Sequence, residues 1–265
     1  MAIYNGTQKV KPSGIAKVYV GSQLVYQPAG PSGIVNKGDI VSFDAFGDGN
    51  QKRFRVLACT GNIAKLLALS KYSTTYFDTG YRTVAFDNGS LGENYDSSLV
   101  DIAMNTNYYG ALDADVKAAI QDTTVVQTLW DYKNWNASSP SDVYFNQQKA
   151  NGNYYQSEYL SSHTVGTRKV YAIGYQDIAD YFNTPLIGGV INHDNVDTMF
   201  ELTSTTEADW PWLRDTRISG SSPQVYYWNK NSGWIESYYS PSYRQASNYP
   251  VFSIDLSQIQ YSVEN

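Results

Sequence analysis

"KRFRVLACTGNIAKLLALS", residues 52–70, holds two runs of β-branched, aromatic and leucine residues split by Thr60-Gly61-Asn62. Such runs read as strands, here 52–59 and 63–70, and the tight-turn composition between them joins them as an antiparallel pair. The preceding 40–46, "IVSFDAF", adds a third strand over a short connection, so the segment is a meander.

Downstream the period changes. In "SSLVDIAMNTNYYGAL" Ser98 is placed to cap a helix, with Asp101 three residues later and Leu99, Ile102, Ala103 and Thr106 on one face. Asp113 caps a second helix in "LDADVKAAIQD", with Val116 and Ile120 on one face. The strand "RKVYAIG" precedes a third helix, "YQDIADYFN", with Ile178, Tyr181 and Phe182 at helical spacing. Beyond residue 185 the helical period is lost. Short strand-like pieces follow, among them a hairpin in "SPQVYYWNKNSGWIESYYS" turning at "NKNSG", and a closing strand "YPVFSIDLS". Upstream, "IAKVYVGSQLVY" (15–26) alternates around Gly21-Ser22 as a β-hairpin. The Pro/Gly-rich "QPAGPSGIVNKG" after it reads as a linker. The order of strands, helices and strands predicts an α+β chain: a small module with its linker over 1–30 and a main domain over 38–265.

The chain has 265 residues, 42% hydrophobic and only 17% charged, enough apolar material for a packed core. Its net charge of −6 and the lack of a Lys/Arg run argue against nucleic acid as a partner. No apolar window reaches the roughly 20 residues of a membrane span, and the start carries no secretion signal. The lone Cys59 excludes an intrachain disulfide and reads as a small buried residue in a chain folded in a reducing cytosol.

Candidate chemistry is sparse. His163 and His193 lack metal-ligand spacing, so no zinc is expected. Asp44, Asp48 and Asn50, like Asn192, Asp194, Asn195 and Asp197, lack the order of a calcium loop, and Asx turns account for them. No nucleophile elbow, phosphate loop or paired-carboxylate motif is present, although Glu201, Glu207, Asp209 and Glu236 are scattered carboxylates. The expectation is a non-enzymatic protein with no cofactor and no metal.

What stands out is 225–244, "VYYWNKNSGWIESYYSPSYR", with two tryptophans and five tyrosines among Asn, Ser, Lys, Glu and Arg. In an extended hairpin Val225, Tyr227 and Asn229 lie on one face and Tyr226, Trp228 and Lys230 on the other, which leaves one face of rings pointing outward. Rigid rings among adaptable polar groups suit a contact surface, with packing under loops the alternative for each ring.

Several motifs in this order resemble a family. "FRVLACTGNIAKLLALS", "LVDIAMNTNYYGALDADVKAAIQDTTVVQ", "RKVYAIGYQDIADYF", "WPWLRDT" and "YPVFSIDLS" are similar to a bacterial and phage domain family of unassigned function. That family is associated with the C-type-lectin-like fold of formylglycine-generating-enzyme relatives and phage tropism determinants. The resemblance covers about 38–260. It assigns Phe54, Val56 and Leu57 to the first strand core and Tyr95, Ser98, Leu99 and Asn105 to the helix signature. It also assigns Trp212, Leu213 and Arg214 to a W-L-R element, and Pro250, Phe252, Ile254, Asp255 and Leu256 to the closing strand. Asp215 and Tyr249 depart from the usual Ser and Arg. The N-terminal "KVYVGSQLVY" separately resembles a hairpin of phage tail and head proteins.

The resemblance implies a C-type-lectin-like domain in a virion protein, tail- or baseplate-associated, whose residues 1–30 bind other virion proteins. Its partner is a host cell-surface receptor, glycan or protein. The implied contact residues are Tyr226, Trp228, Asn229, Asn231, Trp234, Glu236, Tyr238, Tyr239, Tyr243 and Arg244. Calcium-dependent sugar binding is not implied, because the E-P-N or Q-P-D and W-N-D motifs are absent. The alternatives are a head-decoration or tail component using the same patch as a subunit interface in a homo-oligomer, a trimer being favoured, and, ranked last, a cell-wall glycan hydrolase.

Overall fold

A computed structural model of the chain describes residues 3–5, 8–10, 18–20, 23–26, 35–79, 82–87, 89–135, 147–150, 153–185, 193–203, 206, 209–219, 222–229, 234–238, 242 and 245–264. Within them the chain is mixed α+β, mostly antiparallel sheet with a few short helices. The N-terminal part has two hairpins, β1 (Ile3–Asn5) with β2 (Gln8–Val10) and β3 (Val18–Val20) with β4 (Gln23–Tyr26). The second is the hairpin read around Gly21-Ser22; the first was not expected.

The meander forms as read. Strands β5 (Ile40–Phe43), β6 (Lys52–Thr60) and β7 (Ile63–Ala68) are antiparallel neighbours, and Gly61 turns between the last two at φ +60°, a left-handed conformation that favours glycine. Short strands follow: β8 (Ser73–Tyr76), β9 (Thr83–Ala85) and β10 (Leu91–Glu93). A continuous helical run then covers 99–111. Its ends, α1 (Leu99–Asp101) and α2 (Tyr109–Ala111), are α-helical, and Ile102–Tyr108 between them is wound as a π-helix. Ser98 Oγ accepts from Asp101 N at 3.1 Å, and Asp101 Oδ2 accepts from Ser97 N at 2.8 Å, so this cap works in both directions. Helix α3 (Ala114–Ala119) starts at Asp113, whose side chain accepts from Asp115 N at 3.0 Å.

The longest strands, β11 (Thr123–Trp135) and β13 (Asn153–Arg168), pair along their length, with β12 (Gln147–Ala150) added to β13. Strand β14 (Tyr171–Ala172) leads into α4 (Tyr175–Phe182). A helix, α5 (His193–Phe200), occupies a region read as strand-like; Val196, Met199 and Phe200, at helical spacing, form its buried stripe. The chain ends in β15 (Trp212–Ser219), β16 (Ser222–Asn229), β17 (Trp234–Tyr238), β18 (Gln245–Asn248), β19 (Pro250–Asp255) and β20 (Ser262–Glu264).

Two six-stranded sheets organise these elements. The first has the order β14-β19-β7-β6-β5-β20 and is antiparallel throughout. Its centre is apolar: Phe43 stacks on Phe54 at 4.5 Å between centroids, and Phe252 meets Phe54 edge-on at 5.4 Å. The second has the order β12-β13-β11-β15-β16-β17, antiparallel except for the β11/β15 pair. Its terminal strands β12 and β17 approach each other without sharing a ladder.

Tyr95 and Asn105 tie neighbouring elements together. Tyr95 Oη accepts from Ala172 N at 2.8 Å, and Asn105 Oδ1 accepts from Lys169 N at 3.0 Å. The first bond holds the segment before the helical run to β14, and the second holds the run itself to the chain just before that strand. Cys59, expected to be buried, is half-buried at the end of β6, and that partial burial raises its thiol pKa. In the Asp44–Asn50 loop one bond is the anticipated Asx turn, Asp48 accepting from Asn50 N, while Asp44 reaches further and accepts from Asp48 N and Gly49 N.

Candidate functional site

The aromatic stretch is a hairpin in the second sheet, β16 pairing with β17 from Val225–Tyr238 to Asn229–Trp234. Burial corrects the expectation of outward rings on β16: Tyr226 (2% exposed), Trp228 (4%) and Asn229 (7%) are enclosed within the chain. The reason is that both faces of the strand are covered. Tyr226 meets Tyr175 of α4 edge-on at 5.3 Å, and Trp228 Nε1 donates to Asp197 of α5 at 2.7 Å. On the other face Tyr227 stacks with Trp210 at 5.7 Å and meets Trp212 at 5.9 Å. Trp234, Glu236 and Tyr238 occupy β17, where the described structure is that of the backbone. Asn231, Tyr239, Tyr243 and Arg244 lie outside the described residues.

A cluster of buried ions holds the two sheets together beneath this hairpin. Asp177, in the first turn of α4, accepts from Lys65 Nζ of β7 at 2.9 Å and from Arg214 Nη1 of β15 at 2.5 Å. Arg214 also donates to the carbonyls of Val126 (2.7 Å) and Ala172 (2.9 Å), so its charge is fixed by backbone from both sheets. Asp215 accepts from Thr128 N at 2.8 Å, from Tyr175 N at 2.5 Å and from the Thr128 hydroxyl. It thus locks β11 to the start of α4.

Gly174 makes the approach possible. A Cβ there would fall 2.6 Å from Arg214 Cζ and 2.8 Å from Asp215 Oδ2.

Electrostatics follow the bonds. Burial by itself would raise the Asp177 carboxyl, but Arg214 and Lys65 hold it well below the usual carboxylate range. Asp215 has no direct bond to the guanidinium, and burial raises it despite Arg214 and the Thr128 and Tyr175 donors. Lys65 is raised, chiefly by Asp177.

A cleft of about 330 Å³ opens beside the cluster, lined among others by Lys65, Thr123, Tyr171, Gln176, Asp180 and Arg214. Tyr171 Oη is buried there near Thr123 and has no hydrogen-bond partner among the described residues. Chemically this is an ion network with an open flank: both oxygens of Asp177 are engaged by cations. Among the described residues no group of three or more His, Cys, Asp or Glu side chains is arranged to hold a metal.

Of the scattered carboxylates, the two whose side chains are described are engaged by different cations. Glu201 pairs with Arg53 at 2.5 Å and with Arg55 at 3.1 Å, while Asp209 pairs with Lys71. Glu207 lies outside the described residues.

A different carboxylate was missed. Glu93, at the end of β10, is fully buried; its Oε1 accepts from Arg82 N at 2.8 Å, and its Oε2 has no hydrogen-bond partner among the described residues. Burial pushes this carboxyl up to about 7, Asp78 adding to the rise and the Arg82 amide and guanidinium opposing it.

A second aromatic run was also missed. Trp130, Tyr132, Trp135, Tyr154, Tyr155 and Tyr159 lie in β11 and β13, in the same sheet as β16 and β17. Their density among Asn, Gln and Ser was the available signal, since it repeats the composition of 225–244.

Comparison with known proteins finds no family model, no curated protein and no solved structure that matches the chain.

Proposed function

We propose that the chain is a non-enzymatic phage virion protein that binds a host-surface receptor. In this reading residues 38–265 are a C-type-lectin-like domain, and residues 1–30 attach it to other virion proteins at the tail or baseplate. The observation that carries the reading is the position of the aromatic segment: β17 is a terminal strand of its sheet, held at that margin by the buried anchors Tyr226 and Trp228. The motif residues support it as well. Tyr95, Asn105, Trp212, Arg214 and Phe252, on which the resemblance rests, make ties between elements rather than filling space singly.

Receptor contact then falls to Asn231, Trp234, Glu236, Tyr238, Tyr239, Tyr243 and Arg244. Tyr226, Trp228 and Asn229 serve as their buried base. Rings supply contact area at low entropic cost, and the polar residues give direction.

The test is binding of the labelled full chain to a panel of bacterial cells, wild type against the double variant Trp234→Ala/Tyr238→Ala. The expected result is adhesion to some strains and a loss of about 30-fold or more in the variant, the scale of hot-spot truncation. An unchanged circular dichroism melt would place that loss at the surface. Undiminished adhesion by a folded variant overturns the assignment, and adhesion to no strain overturns the function.

A further inference from the structure

The cleft beside the ion cluster is formed by α4, β7, β14 and the start of β11. Four charged side chains line it, Lys65 and Arg214 against Asp177 and Asp180, two of each sign. One further charge of each sign stands close by. Lys37 donates to Asn183 Oδ1 at 2.6 Å, at the C-terminal end of α4, and Asp215 is held by Thr128 and Tyr175. The charges balance, so the cleft draws in neither a bare anion nor a bare cation.

Within that balance the two ends differ. Lys65 is half-buried and its ammonium makes one bond, to Asp177, which leaves further hydrogens to donate. Arg214 uses Nε and Nη1 for Val126, Ala172 and Asp177, and none of these bonds involves Nη2. Tyr171 Oη, buried beside Thr123, has no hydrogen-bond partner among the described residues, and a ligand oxygen beside it would relieve the cost of that burial. This end is therefore rich in unused donors.

The other end is the outer face of α4. Gln176, Asp177 and Asp180 share the face that lines the cleft, and Asp180 lies one turn, about 5 Å, beyond Gln176. Both Gln176 and Asp180 are exposed. Gln176 Nε2 donates to Asp180 Oδ1 at 2.6 Å, which leaves Gln176 Oε1 and Asp180 Oδ2 as acceptors. Val125 and Val126 add an apolar wall.

We infer that this cleft binds a small zwitterion of the α-amino acid class with a short aliphatic side chain. Its carboxylate accepts from Lys65 and Arg214, its ammonium donates to Asp180 and Gln176, and its side chain rests on Val126. A volume of about 330 Å³ is at the small end of ligand sites and suits a molecule of this size. N-acylation removes the ammonium and esterification removes the carboxylate, so each leaves one end of the cleft unmatched. The described lining includes no residue of β17, and the inference does not depend on the adhesive reading.

The experiment titrates the full chain with alanine and valine, with the N-acetyl and methyl ester forms of each, and with glucose as a neutral polyol, by calorimetry and ligand-observed NMR. Alanine or valine should bind, and both blocked forms should bind about tenfold more weakly or worse, the scale of one charged contact. Asp180→Asn changes an exposed residue outside the buried ion pairs. It should weaken the free amino acid about tenfold and leave the melting temperature of the unliganded chain unchanged. Val126→Phe adds bulk at an exposed position and should abolish binding, while the backbone carbonyl that holds Arg214 is retained.

Binding of neither amino acid overturns the inference. Equal binding of a blocked form removes the zwitterion, and undiminished binding by Asp180→Asn removes the placement of its ammonium; either result overturns it. Wild-type affinity in folded Val126→Phe puts the ligand elsewhere and does the same. Preference for glucose, lost in Val126→Phe, assigns the cleft to a saccharide and also overturns it.

Discussion

The interior of the first sheet and the seam between the two sheets are both dry, yet different forces hold them. Phe43, Phe54, Leu66 and Phe252 meet through apolar contact, and nothing there depends on protonation. At the seam, α4 brings Asp177 between Lys65 of the first sheet and Arg214 of the second, so the sheets are joined by ions fixed on backbone carbonyls. Apolar packing tolerates many sequences of similar volume. A buried ion set tolerates the loss of no single member, because the others are left charged without a partner.

The strongest way to break this contrast is Arg214→Met. Asp177 and Asp215 would lose their shared cation while remaining buried, at a cost of about 3–5 kcal/mol near neutral pH. The sign of the pH dependence follows from Asp177, whose folded-state pKa is depressed below the ordinary aspartate value of 3.8. Its contribution is present above that value and lost as pH falls through the folded pKa. Urea unfolding at pH 7 and pH 3 should therefore show a larger difference between wild type and variant at pH 7. An equal difference at both pH values would mean that the cluster acts by packing alone.

Leu66→Ala tests the other side of the comparison. Leu66 is fully buried, opposite Val56 and Phe252, and its truncation should cost about 2–5 kcal/mol. Here the cost should be the same at pH 3 and pH 7. A strong pH dependence would show that the two regions are not energetically separate.

The same contrast explains what was legible in the sequence. Strands β5, β6, β7 and β19, the caps at Ser98 and Asp113, and helix α4 carry their signals locally, in alternation, turn residues and helical spacing. Strands β11 and β13 do not, because bulges at Val125/Val126 and Leu129/Trp130 break the alternation and 127–130 is buried on both faces. Helix α5 is short and rich in Asn and Asp, which read as turn residues, although Val196, Met199 and Phe200 keep the apolar spacing. The ion cluster joins residues 65, 177 and 214, and no local pattern brings these together. The rings of β16 are buried for the same nonlocal reason: what covers them is α4, α5, Trp210 and Trp212.

The smallest effect concerns Glu93, a buried carboxyl that lacks the balance Asp177 enjoys. Asp78 and Arg82 are the charged neighbours that act on it, and Arg82 is itself engaged by Asp78 at 2.5 Å. Its folded pKa of about 7 lies above the ordinary glutamate value of 4.5. As pH rises between these values the unfolded chain releases its proton while the folded chain retains it. Stability from this group is therefore complete below about 4.5 and is lost as pH rises through about 7. Glu93→Gln keeps the shape and a neutral head, so at pH 8 it should raise the melting temperature by about 2–4 °C, as expected for a gain near 1 kcal/mol. At pH 4 it should change little. Calorimetry at the two pH values decides: a variant less stable than wild type at pH 8 would mean that the carboxylate finds a partner when ionised, and that this corner is balanced after all.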